Sequence, residues 1–408
     1  MNFGARSEAN RFYGWFVVAA AFVITLVGFG SAYTFSSFVG PLQRAFGASR
    51  GSVSLVFSLA GCLYFALGVV SGPIADRWGV RKLAAIGMGL VGLGLILAAR
   101  SHTLRQVYVA YTLGIGIGVG CAYVPTLGAV QRWFVKRRGL ASGLAVSGIG
   151  VGTLVMPPLA SWLIANFAWR GAYRALGIVA IGLGVGAALL MENDPGSRGQ
   201  HPDGRQAGAQ APETLREGLS VREALRTARF RGLYLGCLVG SVGVFVPFVH
   251  LVPYATDRGI RVGTAVWLLG AIGIGSTFGR FLLGNVADRI GRGRFLVSMY
   301  VGMAASLAIW AFGGTPVPLF AFALTFGLFY GGWVAILPAV AADCFGAKHL
   351  GAIIGALYTS VAIGTLIGPS SAGFIYDFTH RYAWAIVISA ASSGVAAVVT
   401  AMALKVSR

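Results

Sequence analysis

Long, continuously apolar segments recur along nearly the whole chain, and they constrain its fold more than any other feature of the sequence. A helix that rises about 1.5 Å per residue needs roughly 20 such residues to cross about 30 Å of hydrocarbon. The segments that meet this length cover approximately residues 12–40, 52–75, 83–100, 106–130, 139–165, 171–191, 231–256, 263–287, 295–314, 316–341, 349–373 and 381–404. Outer-membrane strands would instead alternate apolar and polar residues over about ten positions. The pattern therefore predicts an all-α membrane protein with twelve transmembrane helices.

Charge decides the orientation in the lipid bilayer and the kind of partner. The formal net charge is +20, which would suit a nucleic-acid partner if the basic residues formed one patch. With the N-terminus inside, 22 of the 32 Lys and Arg residues fall on cytoplasmic segments and nine on outer segments, while Arg280 lies within a span. This asymmetry follows the positive-inside rule. We therefore expect a multi-pass protein of the cell (inner) membrane with both termini cytoplasmic, and no nucleic-acid partner.

The sequence offers no pattern for a metal site, a cofactor or an enzyme. The chain has four cysteines, which lie in or at the ends of spans: Cys62, Cys121, Cys237 and Cys344. They include no CxxC pair, which argues against a metal site and a disulfide framework. The alternating glycines from 114 to 120 follow no strand, so they indicate helix packing rather than a dinucleotide loop. No paired carboxylates or nucleophile triad can be assembled from the spans, so we predict no enzymatic activity.

An internal repeat divides the chain into halves. GPIADRWG, from Gly72 to Gly79, recurs as GNVADRIG, from Gly284 to Gly291, at an offset of 288 − 76 = 212 residues. The same offset relates further pairs of residues, which are Gly139 and Gly351, Gly143 and Gly355, Gly152 and Gly364, Thr153 and Thr365, and Pro157 and Pro369. We predict one six-helix bundle in residues 1–191, a cytoplasmic linker in 192–230 and a second bundle in 231–408. Two repeated bundles are typical of secondary transporters, which hold their substrate near the midplane.

The linker carries one local structural signal. Ser220 and Glu223 have capping-box spacing, and basic residues follow them. This pattern predicts a short helix on the cytoplasmic surface. A solvated linker without a role of its own is the alternative.

The repeated motif and two further stretches resemble a known family. The motif resembles the signature of the major facilitator superfamily, in which it closes the cytoplasmic side. RWFVKRRGLASGLAVSGIGVG, from Arg132 to Gly152, and YGW, from Tyr13 to Trp15, resemble the monocarboxylate porter family, which includes L-lactate/proton symporters and oxalate and formate exchangers. The superfamily resemblance covers essentially the whole chain and implies the major facilitator fold. It also implies an inner gate formed by Asp76, Arg77, Asp288, Arg289 and Arg138.

Arg280 is the main candidate for binding substrate. An arginine at the bilayer centre costs about 2.5 to 3.5 kcal/mol on insertion scales, and all twelve acidic residues lie outside the span cores. Its guanidinium offers two parallel donors to one carboxylate, whereas snorkelling toward the cytoplasm is the structural alternative. The family resemblance supports binding, because these porters use an arginine of the eighth helix. Oxalate exchangers add a lysine in the eleventh helix, which this chain lacks, so we predict a small monocarboxylate such as L-lactate or pyruvate.

Other residues are weaker candidates for the same site. Tyr33, Tyr123 and Tyr330 offer hydroxyl donors to the substrate. Ser276 lies one turn before Arg280, where the animal porters have an aspartate, and the first span also lacks their lysine. His250 and Asp257 lie near the outer end of the seventh span. They are the candidates for carrying a coupled proton, and His250 is also a candidate for contacting the substrate.

Two other functions stay open from the sequence. One is anion exchange of the oxalate/formate type, because an empty carrier would have to move Arg280 without a partner. The other is a carboxylate-binding membrane sensor that signals through the linker. The oligomeric state is not predicted.

Overall fold

The computed structural model describes residues 12–204, 218–282, 284–346 and 348–405. In the first repeat the helices are α1 (Gly14–Tyr33), α2 (Phe35–Phe46), α3 (Arg50–Ala66), α4 (Gly68–Trp78), α5 (Val80–Ala99), α6 (Leu104–Tyr111), α7 (Gly118–Trp133), α8 (Arg138–Val179) and α9 (Gly186–Leu189). Two π-helical turns, Thr112–Ile117 and Ala180–Val185, continue α6 into α7 and α8 into α9.

The second repeat follows a short linker helix. These helices are α10 (Val221–Arg226), α11 (Ala228–Val244), α12 (Val246–Asp257), α13 (Val262–Leu282), α14 (Gly284–Ile290), α15 (Arg292–Ala311), α16 (Pro316–Phe345), α17 (Leu350–Thr379) and α18 (Ala383–Lys405). Within the described residues the only β-type pairing is an isolated bridge between Gly218 and Gly346. The predicted all-α membrane fold is therefore confirmed.

The number of membrane crossings depends on two broken helices. Among the described residues, ten helical stretches are long and apolar enough to cross a membrane, and α3 with α4 forms an eleventh that is bent by 51°. One of the ten, Arg138–Leu189, has 52 residues. It would extend about 78 Å, more than twice the hydrocarbon thickness. Ala168 interrupts it with non-helical angles of φ 55 and ψ 173, so it supplies two crossings. Counted in this way, the helices give the twelve spans that the sequence predicts.

The repeat extends to the backbone conformation. The bounds of α15 repeat those of α5 at an offset of 212 residues. Gly79 and Gly291, related by that offset, both have positive φ angles, of 92° and 90°. These angles favour glycine because it has no Cβ. Ala168 and His380, also 212 residues apart, break their helices at φ 55 and 53.

The two repeats meet through closely packed helix pairs, α3 with α17 and α8 with α13. A Cβ added at Gly61 would fall against the side chain of Thr365, and one at Gly150 against Thr277. Glycine at these positions lets the helices approach more closely than side chains would allow. The residues of the candidate site lie on α1, α7, α13 and α16.

The linker helix forms as the capping box predicts. The Ser220 hydroxyl accepts from the backbone N–H of Glu223, while the Glu223 carboxylate accepts from the backbone N–H of Ser220. The hydrogen bond from the Ser220 backbone lowers the pKa of the Glu223 carboxyl from its ordinary value. Leu219 then donates to the carbonyl of Phe345 at 2.9 Å, which ties the end of the linker to α16.

Candidate functional site

The side chain of Arg280 lies in the last turn of α13 and is buried, with only 6% of the residue exposed. Its Nε, Nη1 and Nη2 atoms have no hydrogen-bond partner among the described residues. The snorkelling alternative is therefore wrong, because the guanidinium does not reach the surface. A buried cation whose five donors are unsatisfied creates a strong preference for an anionic acceptor.

Three predicted tyrosines surround this guanidinium. The Arg280 Cζ atom lies 6.0 Å from the centre of the Tyr330 ring, and Tyr123 and Tyr33 lie close enough to interact with it electrostatically. The hydroxyls of Tyr33 and Tyr330 are 3.0 Å apart, a hydrogen bond that joins α1 to α16. The Tyr33 ring also stacks on Phe248, with 4.3 Å between ring centres. The structure thus brings Arg280 and all three tyrosines together.

A small cavity of about 20 Å³ lies beside these tyrosines. Its lining is mostly aromatic and comes from both repeats, namely Phe29, Phe65, Tyr123, Ile149, Phe245, Tyr330, Trp333, Val334, Leu337, Tyr358 and Val361. The space holds about one water molecule, so side chains must move before a carboxylate can enter. Trp333 was not predicted, although its position three residues after Tyr330 places it on the same face of the helix.

Ser276 shares the environment of Arg280. It lies one helical turn earlier on α13, is buried, and its Oγ atom has no hydrogen-bond partner in the described part of the chain. Residues four apart lie on one helix face. The two side chains therefore present unsatisfied donors from the same face of α13.

His250 is buried away from solvent, so it is not an interfacial polar group. Its Nδ1 atom lies 3.0 Å from the Tyr382 hydroxyl and its Nε2 atom 2.8 Å from the carbonyl oxygen of Pro369. A carbonyl can only accept, so this pattern assigns the proton to Nε2 and makes Nδ1 the acceptor from Tyr382. Both ring nitrogens are engaged by the protein, and the structure therefore gives His250 no free nitrogen for a substrate.

Asp257 pairs with Arg50 in the structure. The two oxygens of its carboxylate lie 2.6 and 3.3 Å from Nη1 and Nη2 of Arg50, a bidentate pair. Arg50 Nη1 also donates to the Tyr382 hydroxyl at 2.9 Å, so Asp257 and His250 are linked through Arg50 and Tyr382. From the sequence, Arg50 was only one of the nine Lys and Arg residues assigned to outer segments, because no local pattern indicates its distant partners.

Backbone contacts complete this connection between the repeats. The Asp377 carboxylate on α17 accepts from the backbone N–H groups of Arg50 and Gly51, at 2.9 and 2.8 Å. Nearby, the Ser36 hydroxyl donates to the Val249 carbonyl at 2.9 Å. We call the cluster of Arg50, Asp257, Asp377, Tyr382 and His250 the outer latch. It joins the two repeats at the end of the molecule that the charge distribution predicts to be the outer one.

The predicted gate residues at the other end do not pair across the repeats in the described structure. Asp76 pairs with Arg132 at 2.9 Å, and both belong to the first repeat. Arg138 donates to the Gln131 carbonyl at 3.5 Å, again within that repeat. The remaining gate residues are exposed or lie outside the description: Arg77 and Arg289 are exposed, and the side chain of Asp288 is outside the described residues.

Comparison with known proteins gives one family. The profile described as Major Facilitator Superfamily matches residues 20–312 and 233–408. Monocarboxylate transporter 11 of Homo sapiens is 30% identical over 389 residues, which cover 92% of this chain and 80% of the relative. Monocarboxylate transporter 12-B of Danio rerio is 28% identical over 91% of this chain and 82% of its own length. Monocarboxylate transporter 13 of Bos taurus is 28% identical over 93% and 86%.

Proposed function

Because the chain belongs to the monocarboxylate porter family of the major facilitator superfamily, it is a multi-pass membrane transporter and not an enzyme, and we propose that it carries a small monocarboxylate together with a proton. L-Lactate or pyruvate is the proposed substrate. The observation that carries this proposal is the buried guanidinium of Arg280, which has no partner among the described residues. Its neighbour Tyr330 lines a cavity to which both repeats contribute.

The charge of the site supports a single carboxylate. One guanidinium neutralises one carboxylate, and a second carboxylate would be buried without a counter-charge. The α17 segment, from Leu350 to Thr379, contains no lysine that could supply one. A monocarboxylate therefore fits the described site better than a dicarboxylate such as oxalate.

Transport is proposed to proceed by alternating access. Residues 1–191 and 231–408 would move against each other around Arg280, connected by the linker of residues 192–230. We place both termini in the cytoplasm and the protein in the cell membrane. Closure of the inner side is assigned to the gate residues, which are Asp76, Arg77, Asp288, Arg289 and Arg138. The 212-residue recurrence of helix bounds supports two equivalent moving units.

Proton coupling is assigned to the outer latch, through Asp257 and His250. Uptake of one proton by Asp257 with one carboxylate would make inward transport electroneutral. The second candidate is anion exchange. It is favoured by the absence of a described acidic partner for Arg280, since the empty carrier must then return with a buried charge.

The test is uptake of labelled L-lactate into liposomes that contain the purified protein, under an acid-outside pH gradient. Accumulation in empty vesicles that a protonophore abolishes is expected for symport, whereas uptake only into lactate-loaded vesicles would establish exchange. We expect Arg280→Gln to lower uptake roughly 100-fold, equivalent to about 3 kcal/mol, and Arg280→Lys to retain part of it. Arg261→Gln, at an exposed arginine ahead of the same helix, is the control. Unchanged uptake by Arg280→Gln would remove Arg280 from the mechanism.

A further inference from the structure

A second site for a carboxylate is indicated at the outer end of the molecule. A cleft of about 970 Å³ opens between α2, the outer part of α8, α12 and the start of α13. Its polar lining includes Ser37, Ser161, Thr256, Arg50 and Asp257. Ser37 Oγ and Arg50 Nε are buried there without a hydrogen-bond partner among the described residues. The cleft therefore contains hydrogen-bond donors that have no acceptor among the described residues.

The ion pair of the outer latch lies in the wall of this cleft. The Asp257 side chain is 31% exposed, whereas that of Arg50 is 11% exposed. Asp257 is thus the more accessible partner. Its carboxylate binds the Arg50 guanidinium in the bidentate geometry that the carboxylate of a substrate would also adopt. A carboxylate that arrives in the cleft belongs to the chemical class that Arg50 already binds.

We propose that Arg50 is an outer carboxylate site, on which the carboxylate of an incoming substrate replaces that of Asp257 when Asp257 takes up a proton. The inference rests on the proposed function, because it names the entry site for the same class of substrate. Before the exchange Arg50 faces one ionised carboxylate, and after the exchange it still does. One proton and one monocarboxylate have then been taken from the outer solution, with no change in net charge at the site.

The other groups around Asp257 are compatible with this exchange. Those facing its carboxyl or joined to it through Arg50 are Arg50 on α3, Tyr376 and Asp377 on α17, Tyr382 before α18 and His250 on α12, while Arg44 of α2 lines the same cleft. Both Asp377 oxygens accept from backbone N–H groups of α3, so Asp377 does not compete for the guanidinium. The ring of Tyr376 lies 3.9 Å from the Arg50 Cζ atom and keeps the guanidinium in place.

Two substitutions distinguish a carboxylate-binding site at Arg50 from a clamp, meaning an ion pair that only holds the two repeats together. Arg50→Gln and Asp257→Asn both break the ion pair, so a clamp predicts that they shift the KM for external substrate in the same direction. A binding site predicts opposite shifts. Arg50→Gln removes the site and raises the KM, whereas Asp257→Asn imitates the protonated carboxyl, frees Arg50 and lowers the KM at neutral pH.

The experiment measures exchange of external labelled L-lactate into lactate-loaded proteoliposomes of determined orientation, at equal pH on both sides between pH 5.5 and 7.5. We expect a KM that rises with pH for the natural protein, a KM about 10-fold higher for Arg50→Gln, and an intermediate KM for Arg50→Lys, which keeps the charge but not the bidentate geometry. Asp257→Asn should show a low KM that no longer changes with pH. Arg105→Gln, an exposed outer arginine away from the cleft, is the control.

The outcomes separate this inference from the proposed function. Shifts in the same direction, or an Asp257→Asn variant that keeps the natural pH dependence, would overturn the outer site alone. A natural protein that exchanges neither lactate nor pyruvate would overturn the proposed function, and the outer site with it. Size-exclusion elution of each variant as a single species confirms that the comparison is made between folded proteins.

Discussion

The guanidinium of Arg280 is buried without a hydrogen-bond partner among the described residues, and its desolvation therefore opposes folding in the conformation described. Residues that lower stability are retained where function requires them. The ring of Tyr330, whose centre lies 6.0 Å from the Arg280 Cζ atom, reduces this cost but does not neutralise the charge. Stability and substrate binding therefore place opposite demands on this one side chain.

Replacing Arg280 with leucine is expected to stabilise the protein while it abolishes transport. Loss of the unpaired buried charge should raise the free energy of unfolding by about 1 to 3 kcal/mol. Thermal unfolding in detergent measures this as a higher Tm. Added lactate should raise the Tm of the natural protein by mass action, and it should raise that of Arg280→Leu by less, because that variant lacks the central site.

The control for this prediction is Arg44→Leu, at an exposed arginine in the last turn of α2. We expect no gain in stability from it, since its charge is already solvated. A lower Tm for Arg280→Leu than for the natural protein would mean that Arg280 stabilises the fold through interactions within the protein.

At the scale of single residues, the sequence predicted which residue is the candidate for binding substrate better than it predicted which side chains contact one another. The lack of any acid in the span cores was enough to single out Arg280. The hydrogen bond between Tyr33 and Tyr330 joins residues 297 positions apart, and no local pattern encodes such a contact. For the same reason the ion pair between Asp257 and Arg50 was not predicted.

At the scale of helices, α13 packs closely against α16. A Cβ added at Gly279 would lie closer than 3.0 Å to the Leu328 carbonyl oxygen on α16, which is backbone and cannot rotate away. At Gly263, near the start of the same helix, an added Cβ meets no atom within 4 Å. Gly279 therefore permits a close contact between α13 and α16, whereas Gly263, in the same helix, makes no such contact.

We expect Gly279→Ala to force α13 and α16 apart and to lower the free energy of unfolding by about 1 to 3 kcal/mol or more. Gly263→Ala should be neutral or slightly stabilising, because alanine favours helix over glycine. Thermal unfolding of the two purified variants makes the comparison. Equal stability of the two would contradict the close helix contact.

Helix breaks were harder to predict than helices. Hydropathy placed the gap between the fifth and sixth spans at residues 166–170, and the structure breaks the helix at Ala168. The breaks at Thr34 and Phe245, between α1 and α2 and between α11 and α12, were not predicted. Both fall within apolar stretches, and hydropathy alone cannot show where a helix is interrupted within one span.

For the whole molecule, the arrangement in the membrane is a testable consequence of the charge distribution. His102 and Ser197 are both exposed and lie in loops that the positive-inside rule assigns to opposite sides. In a variant without the four natural cysteines, His102→Cys should react with an impermeant maleimide added to intact cells. Ser197→Cys should react only after the membrane is opened. The reverse pattern would invert the orientation and exchange the inner and outer ends of the site.

The capping of α3 by Asp377 has a consequence for how the outer end can open. The N–H groups of Arg50 and Gly51 have their acceptor on the other repeat, so separation of the repeats leaves two backbone donors and the Ser36 hydroxyl to be satisfied by solvent. Outward opening is then a hydration reaction, in which water replaces protein as the hydrogen-bonding partner. The equilibrium between closed and open forms should follow water activity, and solutes too large to enter the cleft should favour the closed form.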